Sequence, residues 1–445
     1  MIFGLTFINL IPFTINMKIT FLFFLIFFYK VDVGQSLVKQ FVSENAKSIS
    51  SINPHDTDFA DLEVVRKAIG NKRVVMLGEL YHGDGTAFEA KTRLIKFLHE
   101  KMGFNVLVFE SDFFSLNNGW QMFEKGNISL DSLIYLSIYP LWTICSQFQS
   151  LPSYILNQFK GKHKLVISGM DNRGYTGYSI RYLYKAIDSF LNTINIPFVK
   201  DDKIYSEYYS LLKQAPELIY GKNRPDINKL MDYTQYILIQ LRGRKIKDSF
   251  YIKVLEGQVQ LFKMAIYYRY DSMYTLTKKN YTLHDFQMAK NLQWLISSKY
   301  ANEKVIVWAH DAHIWKAGAK KINYIDYNGM GYYFTQDTSM CKQTYIIGFT
   351  SYSGSGKLML GKNVAAEKVK KPHKNSIENW MHKIGDSYSF VDFSKLNNLK
   401  AKHEPFYMKT YINKEEKLEW NKYYDGVFFI DKMMPCETAD SAIRF

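Results

Sequence analysis

The sequence predicts an α/β fold, a mostly parallel sheet flanked by helices, with an inserted helical subdomain over the active edge. Short apolar runs recur along the chain, as expected for strands buried on both faces of a parallel sheet. A helical pattern of ordinary length separates the first two runs, which is typical of a βαβ unit. Residues 176–299 form a helical pattern that is too long for an ordinary crossover, so they predict an insertion.

The composition restricts the kinds of protein that this sequence can be. The chain has 445 residues, of which 47% are hydrophobic, so it can bury a large core. The net charge of +15 favours anionic surroundings, but no nucleic-acid-binding motif accompanies it. Cys145, Cys341 and Cys436 are too few and too far apart for a disulfide framework or a zinc site. At most one disulfide bridge can form.

The first 34 residues predict a signal peptide. Ile19–Tyr29 is an uncharged, mostly apolar run preceded by Lys18. Since a membrane helix needs roughly 20 residues, this run suits the apolar region of a signal peptide, and an uncleaved anchor is the alternative. We therefore expect a periplasmic or secreted protein with no stable membrane span after cleavage. The remaining chain divides into a first core part (35–175), the helical subdomain (176–299) and a second core part (300–445).

The first structural unit begins with a predicted helix over Pro54–Gly70. The apolar run Val74–Leu77 predicts a strand, and apolar residues at helical spacing predict a helix from about Thr86 to Met102. A second strand is expected at Val106–Phe109. A right-handed crossover makes the two strands parallel, so their carboxyl ends lie at one edge of the sheet.

The later elements follow the same pattern. An aromatic-rich helical stretch precedes the expected strand Leu165–Met170. After the helical subdomain, the expected elements are the strands Val305–Trp308, Thr344–Phe349 and Gly426–Ile430 and a helix near Ser376–Lys383. The segment TSYSGSG after Thr344–Phe349 reads as a loop that can cradle an anion. It lacks the Lys and the spacing of a phosphate-binding P-loop, so this indication is weak.

Ionisable side chains follow several of these strands. They are Glu79 and His82 after the first strand, Glu110 after the second, Asp171 after the third, and His310 and His313 after the fourth. Open α/β sheets bind ligands at the carboxyl ends of their strands. A histidine there can deprotonate water, a carboxylate can orient it, and further imidazoles can stabilise an oxyanion. Because no serine lies in a G-x-S-x-G motif, the pattern favours hydrolysis by activated water over a serine esterase.

The residue types leave alternatives open. His and Glu are also ligands of catalytic zinc, so a metal-dependent hydrolase of the same fold fits as well as a metal-free one. The histidines of HDAH are three residues apart and follow a strand, unlike those of a helical H-E-x-x-H motif. A non-catalytic envelope binding protein is the third alternative.

Several blocks together resemble the erythromycin esterase family. They are LGELYHG, FE at the next strand, VIVWAHDAHI, IIGFTSYSG and DGVFFI, in this order along most of the chain. The resemblance implies a hydrolase without metal or cofactor that opens the lactone ester of a macrolide, as in antibiotic resistance. It also implies an α/β core with a helical subdomain over the cleft, and a small-molecule ester or lactone as substrate. It says nothing of the oligomeric state.

The same resemblance assigns roles. His82 matches the general base of the family, and Glu79 matches its acidic partner. Glu110, His310 and His313 match the remaining catalytic acid and histidines. Lys91, Asp171 and Asp285 are the expected substrate-binding residues, although some macrolide esterases have Arg where Lys91 stands, and Arg93 lies on a different part of the helix. This departure and the signal peptide leave the substrate open, because ribosome protection favours a cytoplasmic enzyme.

Overall fold

The computed structural model describes most of the chain. It covers residues 37–174, 176–217, 226–244, 246, 250–270, 273–318, 328–357, 365–399, 403–410 and 414–439, with the side chains of 268–281 left out. The predicted signal peptide, residues 1–34, lies outside these ranges, so the prediction stands untested. No helix within them is long and apolar enough to cross a membrane.

Eleven strands occur in the described residues. They are β1 (Lys47–Ser48), β2 (Val74–Leu77), β3 (Phe104–Asp112), β4 (Val166–Asp171), β5 (Lys304–Trp308), β6 (Thr344–Gly356), β7 (Glu367–Lys368), β8 (Tyr388–Asp392), β9 (Phe406–Lys409), β10 (Glu415–Leu418) and β11 (Gly426–Met433). Nine form one sheet in the order β1-β8-β11-β6-β2-β5-β3-β4, with β7 paired to β6, while β9 and β10 form a hairpin. Strands β11, β6, β2, β5, β3 and β4 are parallel, and β1, β7 and β8 are antiparallel to their neighbours.

Helices surround this sheet. They are α1 (37–45), α2 (Glu63–Ile69), α3 (Gly85–Met102), α4 (Phe113–Glu124), α5 (Leu130–Ser137), α6 (Pro140–Thr143), α7 (Ser150–Lys160), α8 (Gly177–Ile194), α9 (Asp202–Gln214), α10 (Ile227–Arg242), α11 (Phe250–Tyr270), α12 (Met273–Trp294), α13 (Asp311–Ile314), α14 (Met330–Thr335), α15 (Thr338–Lys342), α16 (Ile377–His382) and α17 (Ser394–Asn398). Alternate residues of β2 belong to separate apolar clusters. Val74 and Met76 pack with α8–α12, and Val75 and Leu77 pack with α2, α3 and α7. Helices therefore cover both faces, which confirms the predicted fold class.

Strand β5 lies between β2 and β3. Trp308 at its carboxyl end is in register with Leu77 of β2 on one side and with Phe109 of β3 on the other. The two strands predicted from the first unit are therefore parallel and end at one edge, as expected, but they are not neighbours. The fourth predicted strand occupies the gap and brings its histidines between the two acidic strand ends.

The first predicted helix is too long. Helix α2 begins at Glu63 after a short 3₁₀ turn, Ala60–Leu62, and residues 54–59 are not helical. In that stretch the side chain of Asn53 accepts from the backbone N–H of His55, and the side chain of Asp56 accepts from that of Asp58. Such local side-chain bonds compete with helical hydrogen bonding, so the prediction over Pro54–Gly70 is wrong at its start.

The Gly/Ser segment predicted as a loop is part of a strand. Strand β6 runs from Thr344 to Gly356 and includes TSYSGSG. Residues 350–354 pair with β11, and Ser355 and Gly356 pair with β7. Pairing with these neighbouring strands outweighs the weak strand propensity of Gly and Ser. The predicted anion-binding loop is therefore not present.

The helices α8–α12 lie between β4 and β5 in sequence, where the insertion was predicted. Helix α12 contacts the sheet directly, because the Asn291 side chain donates to the backbone oxygen of Met170 in β4 at 2.9 Å. Helices α9 and α10 have their main contacts with other helices of this group. The proposed boundaries of a separate subdomain, residues 176–299, stay a prediction.

Candidate active site

The carboxyl edge of the sheet brings all five predicted catalytic residues together. Glu79 and His310 follow two residues after the paired Leu77 and Trp308, and Glu110 directly follows Phe109. The ring centres of His82 and His310 are 5.0 Å apart. His313 Nε2 lies 3.3 Å from Glu110 Oε1. The predicted convergence is thus seen in the structure, whereas the catalytic roles stay predictions.

Glu79 is a buried carboxylate with three partners. Its Oε1 accepts from Trp142 Nε1 at 3.0 Å and lies 3.3 Å from His82 Nδ1, while its Oε2 binds the Lys91 ammonium. Burial alone raises the pKa of the Glu79 carboxyl, but the charge of Lys91 and the contacts with His82 lower it below its usual value. Glu79 is therefore ionised and fixed next to His82.

Lys91 does not have the placement of a substrate-binding residue. Its side chain is fully buried, its ammonium binds Glu79, and Nζ lies 4.0 Å from the centre of the Trp308 ring. The predicted substrate contact is corrected to a positioning role, because the packing of helix α3 turns this side chain into the core. Arg93 instead binds Asp61 at 2.8 Å, away from Glu79, as its helical position predicts.

His82 has the most accessible side chain of the three histidines, with 16% of it exposed. Its ring lies edge-on to that of Trp142 at 5.4 Å. Since Nδ1 faces the ionised Glu79, the proton belongs on Nδ1 and the lone pair on Nε2. Nε2 has no hydrogen-bond partner among the described residues. This nitrogen can therefore accept a proton from water.

His310 is held differently. Its Nε2 donates to the backbone oxygen of Leu80 at 2.8 Å, and its Nδ1 accepts from the backbone N–H of Ala312 at 3.0 Å. Its own backbone N–H donates to Glu110 Oε2 at 2.8 Å. Burial and the neighbouring His82 and His313 hold the pKa of the His310 imidazole well below its usual value. His310 is thus a neutral ring, and both of its nitrogens form hydrogen bonds with the backbone. These bonds hold the segment after β5 in place.

His313 lies between two carboxylates. Its Nδ1 is 2.6 Å from Asp285 Oδ1, and its Nε2 is 3.3 Å from Glu110 Oε1. Burial lowers the pKa of this imidazole, but Asp285 and Glu110 favour the charged form and raise it to about 9. His313 is therefore an imidazolium at neutral pH. It can stabilise negative charge that develops beside it.

Asp171 and Asp285 are both fully buried, so neither has the placement of a direct substrate contact. Asp171 accepts from Arg173 Nε at 2.9 Å and Nη2 at 2.8 Å, and it lies 2.9 Å from His284 Nε2. Burial raises the pKa of its carboxyl, but Arg173 and His284 hold it well below the usual value. The predicted role of both aspartates in substrate binding is corrected to the positioning of Arg173, His284 and His313.

Three residues of the site were missed in the sequence. Trp142 donates to Glu79, and His284 binds Asp171. The Arg173 side chain is 40% exposed, and its Nη2 lies 3.9 Å from Glu110 Oε1. Arg173 comes two residues after the third acidic strand end, and His284 precedes the noted Asp285, so the sequence carried weak signals for both. No pattern points to Trp142.

One group of side chains in the described residues can hold a metal ion. His284, Asp285 and His313 each offer a ligand atom within 4.8 Å of the other two. All three are buried. His82 and Glu79 are not part of this group.

Comparisons with known proteins bear on the family that this chain resembles. The family model for erythromycin esterase matches residues 232–433, which include Asp285, His310 and His313. The hydrolase-named protein YbfO of Bacillus subtilis (strain 168) is 26% identical over 84% of this chain and 87% of its own length. The Escherichia coli protein named erythromycin esterase type II is 23% identical over 86% of this chain and 94% of its own. The resemblance to the erythromycin esterase family is confirmed.

A solved structure supports the fold as well. An erythromycin esterase mutant in its open conformation superposes with a TM-score of 0.66, at 13% identity, over 89% of this chain and 99% of its own. At this identity the likeness concerns the fold alone. The match to the erythromycin esterase family model and the likeness to relatives with hydrolase and esterase names support an esterase-like hydrolase.

Proposed function

We propose that this protein hydrolyses a carboxylic ester or macrolactone with water activated by His82, without a metal ion. The observation that carries the proposal is the distinct state of each histidine. Nε2 of His82 has no hydrogen-bond partner among the described residues, and its Nδ1 faces the ionised Glu79. His310 has both ring nitrogens engaged, and His313 is charged. Of these three, only His82 can serve as a general base at neutral pH.

In the first step His82 Nε2 takes a proton from water while the water oxygen attacks the ester carbonyl carbon. The ring becomes an imidazolium, which the negative charge of Glu79 stabilises through Nδ1. The Lys91 ammonium and the Trp142 indole N–H hold Glu79 in place. A positioned base of this kind contributes about 10²–10⁴-fold to the rate.

The second step needs stabilisation of the oxyanion and of the leaving group. His313 and the exposed part of Arg173 are the positive groups at this edge, and they are suited to the negative oxygen of the tetrahedral intermediate. When the intermediate collapses, the carbon–oxygen bond to the alcohol breaks. The departing alkoxide takes the proton from the His82 imidazolium, so the base is restored and the products are a carboxylic acid and an alcohol.

The substrate class is proposed from the family. A relative carries the name erythromycin esterase type II, which makes a macrolactone one candidate. Lys91, where some macrolide esterases have Arg, lies buried against Glu79. It does not offer a planar guanidinium to a substrate, so a simpler ester is an equal candidate.

We propose a periplasmic or secreted location. The predicted signal peptide suggests it, and a disulfide between Cys145 and Cys436 supports it, because such bridges persist in oxidising compartments. Cell fractionation and mass spectrometry of the mature N-terminus test this. A cytoplasmic, uncleaved chain would contradict it.

The decisive experiment for the reaction uses protein from Gln35 onward with erythromycin, other lactones and simple esters, with and without a chelator. Mass spectrometry detects the addition of one water. We expect hydrolysis that resists the chelator, falls about 10²–10⁴-fold in His82→Ala, and persists in His163→Ala. His163 is an exposed histidine in the turn before β4, at the opposite edge of the sheet.

Two other outcomes of this experiment would favour one of the alternative functions. Activity that a chelator removes and one metal restores would indicate a metal-dependent hydrolase. Tight ligand binding without product, in folded protein, would indicate an envelope binding protein.

A further inference from the structure

The residues His284, Asp285 and His313 lie where helix α12 meets the loop after β5. One ligand atom from each lies within 4.8 Å of the other two. His284 Nδ1 is 3.8 Å from Asp285 Oδ2, and His313 Nδ1 is 2.6 Å from Asp285 Oδ1. A zinc ion with bonds of about 2.0–2.2 Å fits between nitrogen and oxygen atoms at such separations after a small adjustment.

The surroundings of the two histidines match those of metal ligands. His284 Nε2 faces the carboxylate of Asp171 at 2.9 Å, and His313 Nε2 faces that of Glu110 at 3.3 Å. Metal-binding histidines usually donate their second ring N–H to a carboxylate, which fixes the ring and leaves the other nitrogen for the ion. Here an ion beside Asp285 would bind Nδ1 of both rings, and at His313 it would replace the contact of Nδ1 with Asp285 Oδ1.

Asp285 supplies an independent indication. Its side chain is fully buried, and its Oδ1 accepts from the backbone N–H of Met330 at 2.8 Å as well as contacting His313. Its Oδ2 has no hydrogen-bond partner among the described residues. An unpartnered buried carboxylate oxygen is costly, and an ion bound there removes that cost.

We propose that His284, Asp285 and His313 form a binding site for one divalent transition-metal ion such as Zn²⁺. Two imidazoles and one carboxylate suit Zn²⁺ and Co²⁺, whereas Mg²⁺ and Ca²⁺ prefer oxygen ligands alone. On binding, His313 releases its Nδ1 proton to solvent and Nδ1 coordinates the ion. The ion joins helix α12 to the loop after β5. It lies apart from the proposed base His82 but shares His313 with the proposed reaction, so the metal-bound ring and the charged ring are alternative states of His313.

The test measures binding and not turnover, so it succeeds or fails independently of ester hydrolysis. Metal-free protein from Gln35 onward is titrated with Zn²⁺ by calorimetry and with Co²⁺ by visible absorption. We expect one ion per chain, with coordination spectra of nitrogen and oxygen ligands. His284→Ala and Asp285→Asn are expected to weaken metal binding at least about 100-fold. Asp171→Asn is expected to weaken it about 10–100-fold, since residues that hydrogen-bond to a metal ligand typically contribute this factor to the affinity. The control His163→Ala is expected to bind like the wild type.

Two outcomes would overturn the proposal. One is the absence of stoichiometric binding by the wild-type chain. The other is binding that both ligand variants leave unchanged, which would place the ion elsewhere. Near-ultraviolet circular dichroism checks that each variant is folded. If a variant is unfolded, X-ray absorption of the Co²⁺-bound wild type decides, because two imidazoles must then appear in the first coordination shell.

Discussion

Three histidines at one edge of the sheet differ in their hydrogen-bond and ionic partners. Both ring nitrogens of His310 form hydrogen bonds with backbone groups. His313 lies between two carboxylates, and His82 faces one carboxylate through Nδ1, while its Nε2 has no hydrogen-bond partner among the described residues. The environment of each ring, and not the residue type, decides which can act as a base. For the same reason, the sequence could predict that the three histidines lie close together, but not which of them can act as a base.

The charge of His313 gives a prediction for pH dependence. Its pKa is raised from about 6.5 in an unfolded chain to about 9 in the folded protein. The protonated His313 therefore contributes fully to the free energy of unfolding below about pH 6.5, and this contribution is lost as the pH rises through 9. The linked free energy is about 3 kcal/mol. We expect the ring protons of His313 to titrate near pH 9 by nuclear magnetic resonance, and kcat to fall above that pH.

The matched variant is Asp285→Asn, which removes the nearest negative charge. The pKa of His313 and the basic limb of the kcat profile should then both move to lower pH by at least about one unit. A ring that titrates near pH 6.5 in the wild type would contradict the charged state of His313.

Lys91 gives a prediction for stability. Lys91→Met leaves the buried Glu79 without its cation, and an unpaired buried charge costs about 3–5 kcal/mol. The loss should appear in urea unfolding at pH 7. Lys101→Met, on the exposed side of the same helix, is expected to stay within about 0.5 kcal/mol of the wild type. Equal stabilities of the two variants would show that Lys91 does not hold Glu79.

At the scale of elements, the sequence predicted most strands because buried parallel strands are continuous apolar runs. Val74–Leu77 and Val305–Trp308 agree with β2 and β5 within one residue. Spatial order was not predictable, since the pairing of β5 between β2 and β3 joins residues 199 to 231 positions apart. The predicted start of α2 was wrong for a different reason, because the side chains of Asn53 and Asp56 form local hydrogen bonds that compete with the helix.

The Cys145–Cys436 disulfide ties two elements beside the cleft. Cys145 lies shortly after Trp142, which donates to Glu79, and the backbone N–H of Cys436 donates to the oxygen of Gly83 next to His82. The bridge therefore links the residues just after helix α6, which carries Trp142, to a segment that contacts Gly83 beside the proposed base. The sequence allowed one bridge but could not tell which cysteines form it.

Removing this bridge should destabilise the protein. Loss of a native disulfide typically costs about 2–5 kcal/mol, so the double variant Cys145→Ser, Cys436→Ser is expected to unfold at lower urea concentration. The wild type in reductant should behave similarly. Cys341→Ser, at the free cysteine, is the control and is expected to be neutral. An unchanged double variant would mean that the bridge does not hold the folded state.

For the whole molecule, one helix of the predicted insertion contributes residues to the candidate site. Helix α12 carries His284 and Asp285, which reach Asp171 and His313 across the edge of the sheet. The sequence indicated an insertion from its length, and the family resemblance marked Asp285. The contact between insertion and core was not predictable, since helical periodicity shows which residues are buried but not against what.

This difference between the inserted helices leads to the last prediction. The carboxyl half of α12, residues 282–294, is fixed to the core by Asp285, His284 and Asn291, which bind buried groups of the sheet edge. Helices α9 and α10 have their main contacts with other helices of the insertion. Protection from hydrogen exchange follows the free energy of local opening. We expect amides of residues 282–294 to exchange only with global unfolding and those of α9 and α10 to exchange through partial opening.

Hydrogen exchange followed by mass spectrometry measures this in peptides from each helix. Adding urea separates the two modes, because exchange through global unfolding accelerates with urea far more steeply than exchange through a small local opening. Asp285→Asn serves as the comparison, since loss of its bond to His313 should lower protection in 282–294 and leave α9 and α10 unchanged. Equal protection of all these helices in the wild type would mean that the insertion opens together with the core, and that its contacts with the cleft are no firmer than those among its own helices.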